Sequence, residues 1–255
     1  MLALEHIYAG RTLNIAHRGA SGRAPQNTLA AFLLAAEMGA DGIELDVRLA
    51  ADGEVVVIHD ATVDAVTGSV GRVSQMTVAE LSALDAGRRF DPKFAGQRIP
   101  TLQQVFDAVG RRLFINIEIK VEKGDRSIGL EAETVRLIED NHLVDRVIIS
   151  SFNPSSLRRV RKLNPNIALG LLYGQVETHL FARLARMAGV KYAALHPGLG
   201  LVNAKYVRKA HKQGYRVNVW TVNKEPDMRR MLDIGVDAII TNHPDVLGQL
   251  LSHRT

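Results

Sequence analysis

A chain of 255 residues with a 46% hydrophobic share is long enough to bury one large core. It has no cysteine, which excludes disulfides and thiolate metal sites and is compatible with the cytosol, so any metal must be held by oxygen or imidazole. A net charge of +5 favours anionic partners, but the basic residues form only short clusters (Arg88–Arg89, Arg111–Arg112, Arg158–Lys162) without interleaved aromatics, which reads as a solvated surface and not as a nucleic-acid site.

The N-terminal stretch MLALEHIYAGR has neither a basic start nor a long apolar core, so it does not read as a signal peptide. No apolar run approaches the ~18–20 residues that span a bilayer. The expectation is a soluble, cytoplasmic protein without stable membrane insertion. The first predicted strand is Leu13–Ala16, followed by His17-Arg18-Gly19. Asn27–Thr28 can cap a helix that stops at Gly39. Ile43–Leu49 is the second strand, and Asp52–Gly53 turns a hairpin whose arm Glu54–Ile58 returns toward that strand's end.

From Asp60 to Arg98 no barrel strand is apparent; the stretch is rich in Thr, Gly, Ser and Asp, with one short helical piece at Val78–Asp85. It reads as an insertion after the second strand. Strands resume at Leu113–Ile119, Arg146–Ser151, Ile167–Leu172, Tyr192–Leu195, Arg216–Trp220 and Ala238–Thr241. Among the helical stretches between them, one opens at Asn153–Pro154 and stops before Asn164–Pro165, while Pro226 suits a first turn and Gly235 a C-terminal cap. Strands alternating with helices predict an α/β fold, a (β/α)8 TIM barrel, with 1–255 as a single domain that includes a small insertion at about 60–98. An open doubly wound sheet is disfavoured because no Gly-x-Gly-x-x-Gly turn follows the first strand.

Barrel enzymes draw their active groups from the C-terminal ends of strands. In Ile43-Glu44-Leu45-Asp46-Val47 the two-residue period puts both carboxylates on one face and three apolar residues on the other. With helices covering the apolar face, the carboxylates point into the barrel. Adjacent like charges need neutralising, and a hard divalent cation does so through carboxylate oxygen. The third strand repeats the pattern: Asn116, Glu118 and Lys120 share a face, so Glu118 supplies a third carboxylate and Lys120 a cation suited to a phosphate oxygen. Of the nine histidines, His6, His142, His179, His211 and His253 sit in helical or terminal contexts and read as surface. His17 and His59 instead follow apolar strand runs, and two imidazoles at one barrel mouth can act as acid and base near neutral pH.

Taken in order, HRGASGRAPQNT (17–28), GADGIELDVRLAADGEVVVIHD (39–60), IPTLQQVF (99–106), IEIK (117–120), VNVWTVN (217–223) and TNHPD (241–245) resemble the glycerophosphodiester phosphodiesterase family over nearly the whole chain. The resemblance implies that His17 and His59 are the catalytic pair and that Arg18 and Lys120 bind phosphate. It implies that Glu44, Asp46 and Glu118 hold Mg2+ or Ca2+, that Trp220 walls the glycerol, and that residues 60–98 are the family's small insertion. It further implies hydrolysis of small-molecule glycerophosphodiesters, the deacylated phospholipids, to sn-glycerol 3-phosphate and an alcohol. The pattern departs at Gln26, where Glu is usual, and at Asn242, where Asp is usual; His196 and His243 match no role. The rival readings are a lysophospholipase D-like phosphodiesterase, for which no large apolar or aromatic loop cluster is visible, and a non-catalytic phosphodiester-binding protein, which Gln26 keeps open.

Overall fold

The computed structural model describes residues 4–8, 10–121, 129–174 and 190–254. Eight parallel strands form a closed ring. In chain order they are β1 (Leu13–His17), β2 (Gly42–Leu49), β4 (Phe114–Ile119), β5 (Val147–Ser151), β6 (Ala168–Tyr173), β7 (Ala194–Pro197), β8 (Arg216–Val219) and β9 (Ala238–Thr241). Each pairs with the next, and β1 closes the ring by pairing with both β2 and β9. The remaining strand, β3 (Val55–Val57), runs antiparallel to the end of β2, as the hairpin reading expects.

The strand pattern sorts side chains between two cores. Ile43, Leu45 and Val47 join the large cluster between strands and helices. Alternate residues face the barrel interior, whose lower part is filled by Leu13, Ile15, Phe114, Ile148 and Ala238 and plugged from below by Leu4 and Tyr8 of the N-terminal segment. The helices obey local signals. In α2 (Leu29–Glu37) the Thr28 hydroxyl accepts from the Ala31 N–H as N-cap. In α5 (Leu102–Val109) Thr101 and Gln104 form a capping box, and Leu102, Val105, Phe106 and Val109 make a buried stripe at i, i+3, i+4, i+7. α7 (Pro154–Leu163) starts and ends where its Asn-Pro signals predict.

Residues 60–98 add α3 (Asp64–Thr67), α4 (Val78–Ala83) and two single 3-10 turns. They pack a small apolar cluster (Val63, Val73, Leu81, Ala86) against Val56 and Ile58 of the hairpin, above the barrel's rim. α4 ends two residues before the predicted Asp85, because that carboxylate accepts backbone N–H groups from Gly87, Arg88 and Gly96 and so folds the chain back. β7 starts two residues later than predicted: its ladder with β6 runs from Gly170↔Ala194 to Tyr173↔Pro197. Among the described residues no helix is long and apolar enough to cross a membrane.

Candidate active site

Register brings the predicted residues together. His17 pairs with Glu44 across β1 and β2, while Glu44↔Asn116 and Asp46↔Glu118 pair across β2 and β4. The residues therefore sit side by side inside the upper barrel.

The turn after β1 is specialised. Arg18 takes φ 55° and Gly19 φ 80°. A Cβ at Gly19 would strike Ala31 at 2.6 Å, so only glycine lets this turn lie on α2. The left-handed Arg18 donates its backbone N–H to Glu44 Oε2 at 3.0 Å. Its guanidinium reaches Asp46 Oδ2 at 3.3 Å and donates to Gln26 Oε1 at 2.7 Å. Asn27, also left-handed at φ 56°, donates its amide to Asp46 Oδ2 at 2.8 Å.

Glu44, Asp46 and Glu118 are buried, and one oxygen from each lies within 4.8 Å of the others. Lys120 Nζ contacts Asp46 Oδ1 at 3.1 Å and Glu118 Oε1 at 2.5 Å. Their titration follows from this crowding. Burial, then Asp46 and Glu118, push the Glu44 carboxyl well above its usual range. Burial and Asp46 push Glu118 up to about 7. Burial pushes Asp46 upward too, but Lys120 and Arg18 outweigh it and hold Asp46 at about 2. One carboxylate is thus satisfied by the fixed cations and two are not. Beside them the Asn116 side-chain oxygen is buried without a hydrogen-bond partner. Convergent carboxylate oxygens that the fixed cations leave incompletely neutralised fit a hard divalent cation.

The imidazoles have different settings. His17 Nδ1 lies 2.7 Å from Asn242 Oδ1. An amide oxygen only accepts, so Nδ1 carries the proton and Nε2 faces the carboxylates, 3.8 Å from Glu44. Burial and then Arg18 depress His17 to about 4. His59 is fixed by Arg48, whose Nη2 donates to the His59 carbonyl at 2.7 Å. Its Nδ1 sits 2.7 Å from Asp60 Oδ1, and its pKa is lowered chiefly by burial. Trp220 donates Nε1–H to the His196 carbonyl at 2.8 Å and meets Phe152 edge-on, ring centroids 5.5 Å apart.

Every predicted site residue lines one cavity of ≈160 Å³, except Asp46, which lies beneath Arg18 and Lys120. A second cavity of ≈350 Å³ adjoins it and shares His17 and Arg18. Sequence reasoning missed Asn27 and Phe152 as site residues, and assigned no role to Asp60 or to Asn242. His196 is a buried barrel residue, within 3.1 Å of Asn218. Among the histidines expected at the surface, His6, His142, His211 and His253 are exposed, while His179 lies outside the described residues.

A barrel that carries three carboxylates, two cations and two imidazoles to one end defines a hydrolase suited to an anionic phosphodiester. The model of the glycerophosphoryl diester phosphodiesterase family matches residues 17–246. A glycerophosphodiester phosphodiesterase of Caldanaerobacter subterraneus subsp. tengcongensis is 46% identical over 246 residues, covering 94% of this chain and 98% of the relative. One of Bacillus subtilis is 34% identical, covering 94% and 86%. Among solved structures, an Oleispira antarctica phosphodiesterase in complex with the product sn-glycerol-3-phosphate superposes with TM-score 0.85 at 29% identity, covering 96% of this chain and 99% of that one. The chain belongs to the glycerophosphoryl diester phosphodiesterase family, and it is an enzyme of that class, a phosphoric diester hydrolase.

Proposed function

We propose that this chain hydrolyses glycerophosphodiesters to sn-glycerol 3-phosphate and an alcohol, as a single-domain cytoplasmic enzyme loaded with Mg2+ or Ca2+. The observation that carries the reading is the charge balance at the barrel mouth. Three carboxylates against Arg18 and Lys120 leave one negative charge, and a phosphodiester monoanion adds a second. A divalent cation on Glu44, Asp46 and Glu118 closes that balance and would supply electrostatic stabilisation of the phosphoryl group.

The chain's own groups do the rest. Arg18 and Lys120 meet the non-bridging oxygens and are already oriented, so little reorganisation accompanies charge build-up. Trp220 and Phe152 give the glycerol an apolar wall. His59, backed by Asp60, faces only the smaller cavity and takes a proton there from the glycerol 2-hydroxyl, the attacking group implied by the resemblance. His17 lies on the wall between the two cavities, next to the bond that breaks, and gives the leaving alcohol its proton from Nε2; the cyclic phosphate that remains is opened by water, with the two imidazoles exchanging roles, to give sn-glycerol 3-phosphate. In the empty site burial and Arg18 keep His17 neutral; an arriving anion engages Arg18 and favours the imidazolium.

A substrate with a low-pKa leaving group tests the assignment, since p-nitrophenolate departs without protonation. The p-nitrophenyl ester should rescue His17→Ala and leave His59→Ala impaired; rescue of His59→Ala alone reverses the roles. Chelation tests the larger reading. Turnover of glycerophosphocholine should vanish after EDTA and return with Mg2+ or Ca2+, and undiminished turnover by demonstrably metal-free protein would refute it.

A further inference from the structure

The ≈350 Å³ cavity between the barrel mouth and the 60–98 insertion takes no part in the chemistry above. It shares His17 and Arg18 with the smaller cavity, so a phosphodiester held at that wall extends one arm into each. On the proposed reaction, on which this inference rests, the arm beside Trp220 is glycerol. The other arm is the alcohol that leaves.

We propose that this second cavity is the leaving-alcohol subsite and that Arg89 of the insertion makes it select uncharged and, above all, anionic alcohols over cationic ones. The charged groups in its lining other than His17 are the guanidiniums of Arg18 and Arg89, with no carboxylate. The polar groups between them, Gln26, Ser21 and Asn242, are neutral. Arg89 has no ion-pair partner among the described residues, in contrast to Arg88, which pairs with Asp85 at 3.5 Å. Its exposed side chain passes over Gly68, at φ 78°, where a Cβ would come within 3.1 Å of Nη1. Asp85 is committed to three backbone N–H groups and Asp60 to His59.

The remaining wall is apolar. Phe90 is 46% exposed and held edge-on by Phe94, with ring centroids 5.7 Å apart. One aromatic face without a carboxylate is a poor trap for a quaternary ammonium, which binds where several rings or an anion surround it. A carboxylate or phosphate on the alcohol meets Arg89, and a neutral polyol meets Gln26 and Phe90.

The test uses three esters of sn-glycerol 3-phosphate: with choline, with its uncharged isostere 3,3-dimethylbutanol, and with glycerate. kcat/KM is measured on metal-loaded enzyme at low ionic strength, each value relative to the isostere. One guanidinium ~6 Å from a unit charge in a solvent-like dielectric is worth about three-fold. The choline ester should therefore fall below the isostere by about three-fold or more and the glycerate ester rise above it by a similar factor. Arg89→Glu replaces attraction by repulsion and should move the choline-to-glycerate ratio by about a hundred-fold, roughly three-fold for each of four charge changes. Arg89→Gln should move it about half as far on a logarithmic scale, and Gln26→Glu should move it in the same direction. Added salt should compress every ratio. Turnover of all three esters with a ratio that Arg89→Glu leaves unchanged overturns the subsite alone. Turnover of none overturns the proposed reaction and the subsite with it.

Discussion

Replacing Glu118 by Gln should make the metal-free protein more stable and the metal-loaded protein less so. Glu118 is buried, and burial together with Asp46 moves its carboxyl from 4.5 up to about 7. An acid whose folded pKa is raised binds more protons folded than unfolded between those values. Stability therefore falls as pH rises through ~4.5 to 7, and the loss is complete above that window. At ~1.36 kcal/mol per pKa unit the ceiling is about 3 kcal/mol. Lys120 loses its contact with Glu118 in the variant but keeps Asp46 at 3.1 Å, so the gain should lie nearer 1–3 kcal/mol, order of magnitude. For a chain of this size that is about 2–10 °C in Tm. Thermal unfolding after exhaustive chelation, at pH 5 and pH 8, reads it directly: the variants should coincide at pH 5 and separate at pH 8. Added Mg2+ or Ca2+ should raise wild-type Tm well above the variant's, because only the native three-carboxylate site binds tightly. A metal-free variant that melts below wild type at pH 8 would refute the account of uncompensated charge.

Glu44→Gln and Asp46→Asn should each weaken metal affinity with little change in far-UV circular dichroism; isothermal titration that finds wild-type affinity in both would remove these residues from the ligand set. His17→Ala and His59→Ala should each lower kcat by ~100-fold or more, with the double variant scarcely worse than the poorer single one, as for groups acting as a unit; near-wild-type kcat in both single variants would end the acid–base mechanism. His17 also has a stability signature. Its folded pKa of about 4 lies below the ordinary 6.5, so the stability lost as pH falls through 6.5 toward 4 reaches about 3 kcal/mol and should largely vanish in His17→Gln; urea midpoints across that range measure it.

What could be read in advance follows from which interactions are local. Alternation along Ile43–Val47 and Phe114–Lys120 placed the carboxylates inward without any tertiary knowledge, since a two-residue period needs only that one face be covered. Caps at Thr28 and Asn153 are likewise decided within four residues. Boundaries failed where a distant partner decides. In Tyr192-Ala-Ala-Leu-His-Pro197 the apolar run starts at Tyr192, but β6 supplies ladder partners up to Tyr173 and so carries β7 to Pro197. Asp85 is a plausible helix residue until Gly96, eleven positions on, offers its N–H.

The same division runs through the site. The groups that bear charge announce themselves, because a buried Glu, Asp or Lys on a strand needs a reason. The groups that orient them do not. Asn242 reaches His17 across 225 positions and sets which imidazole nitrogen is free; Asn27 steadies Asp46 only because its backbone is left-handed. Both are neutral amides that any loop could carry. Gln26 belongs between the two kinds. Its departure from the usual Glu is visible in the sequence, but its consequence needs the contact with Arg18. With a neutral partner there, the one carboxylate in direct contact with the Arg18 guanidinium is Asp46. On the proposed reaction, a second fixed anion against Arg18 would instead compete with the phosphodiester for the same guanidinium. The neutral amide thus leaves the Arg18 guanidinium, which lines both cavities, available to an anionic substrate with one arm in each.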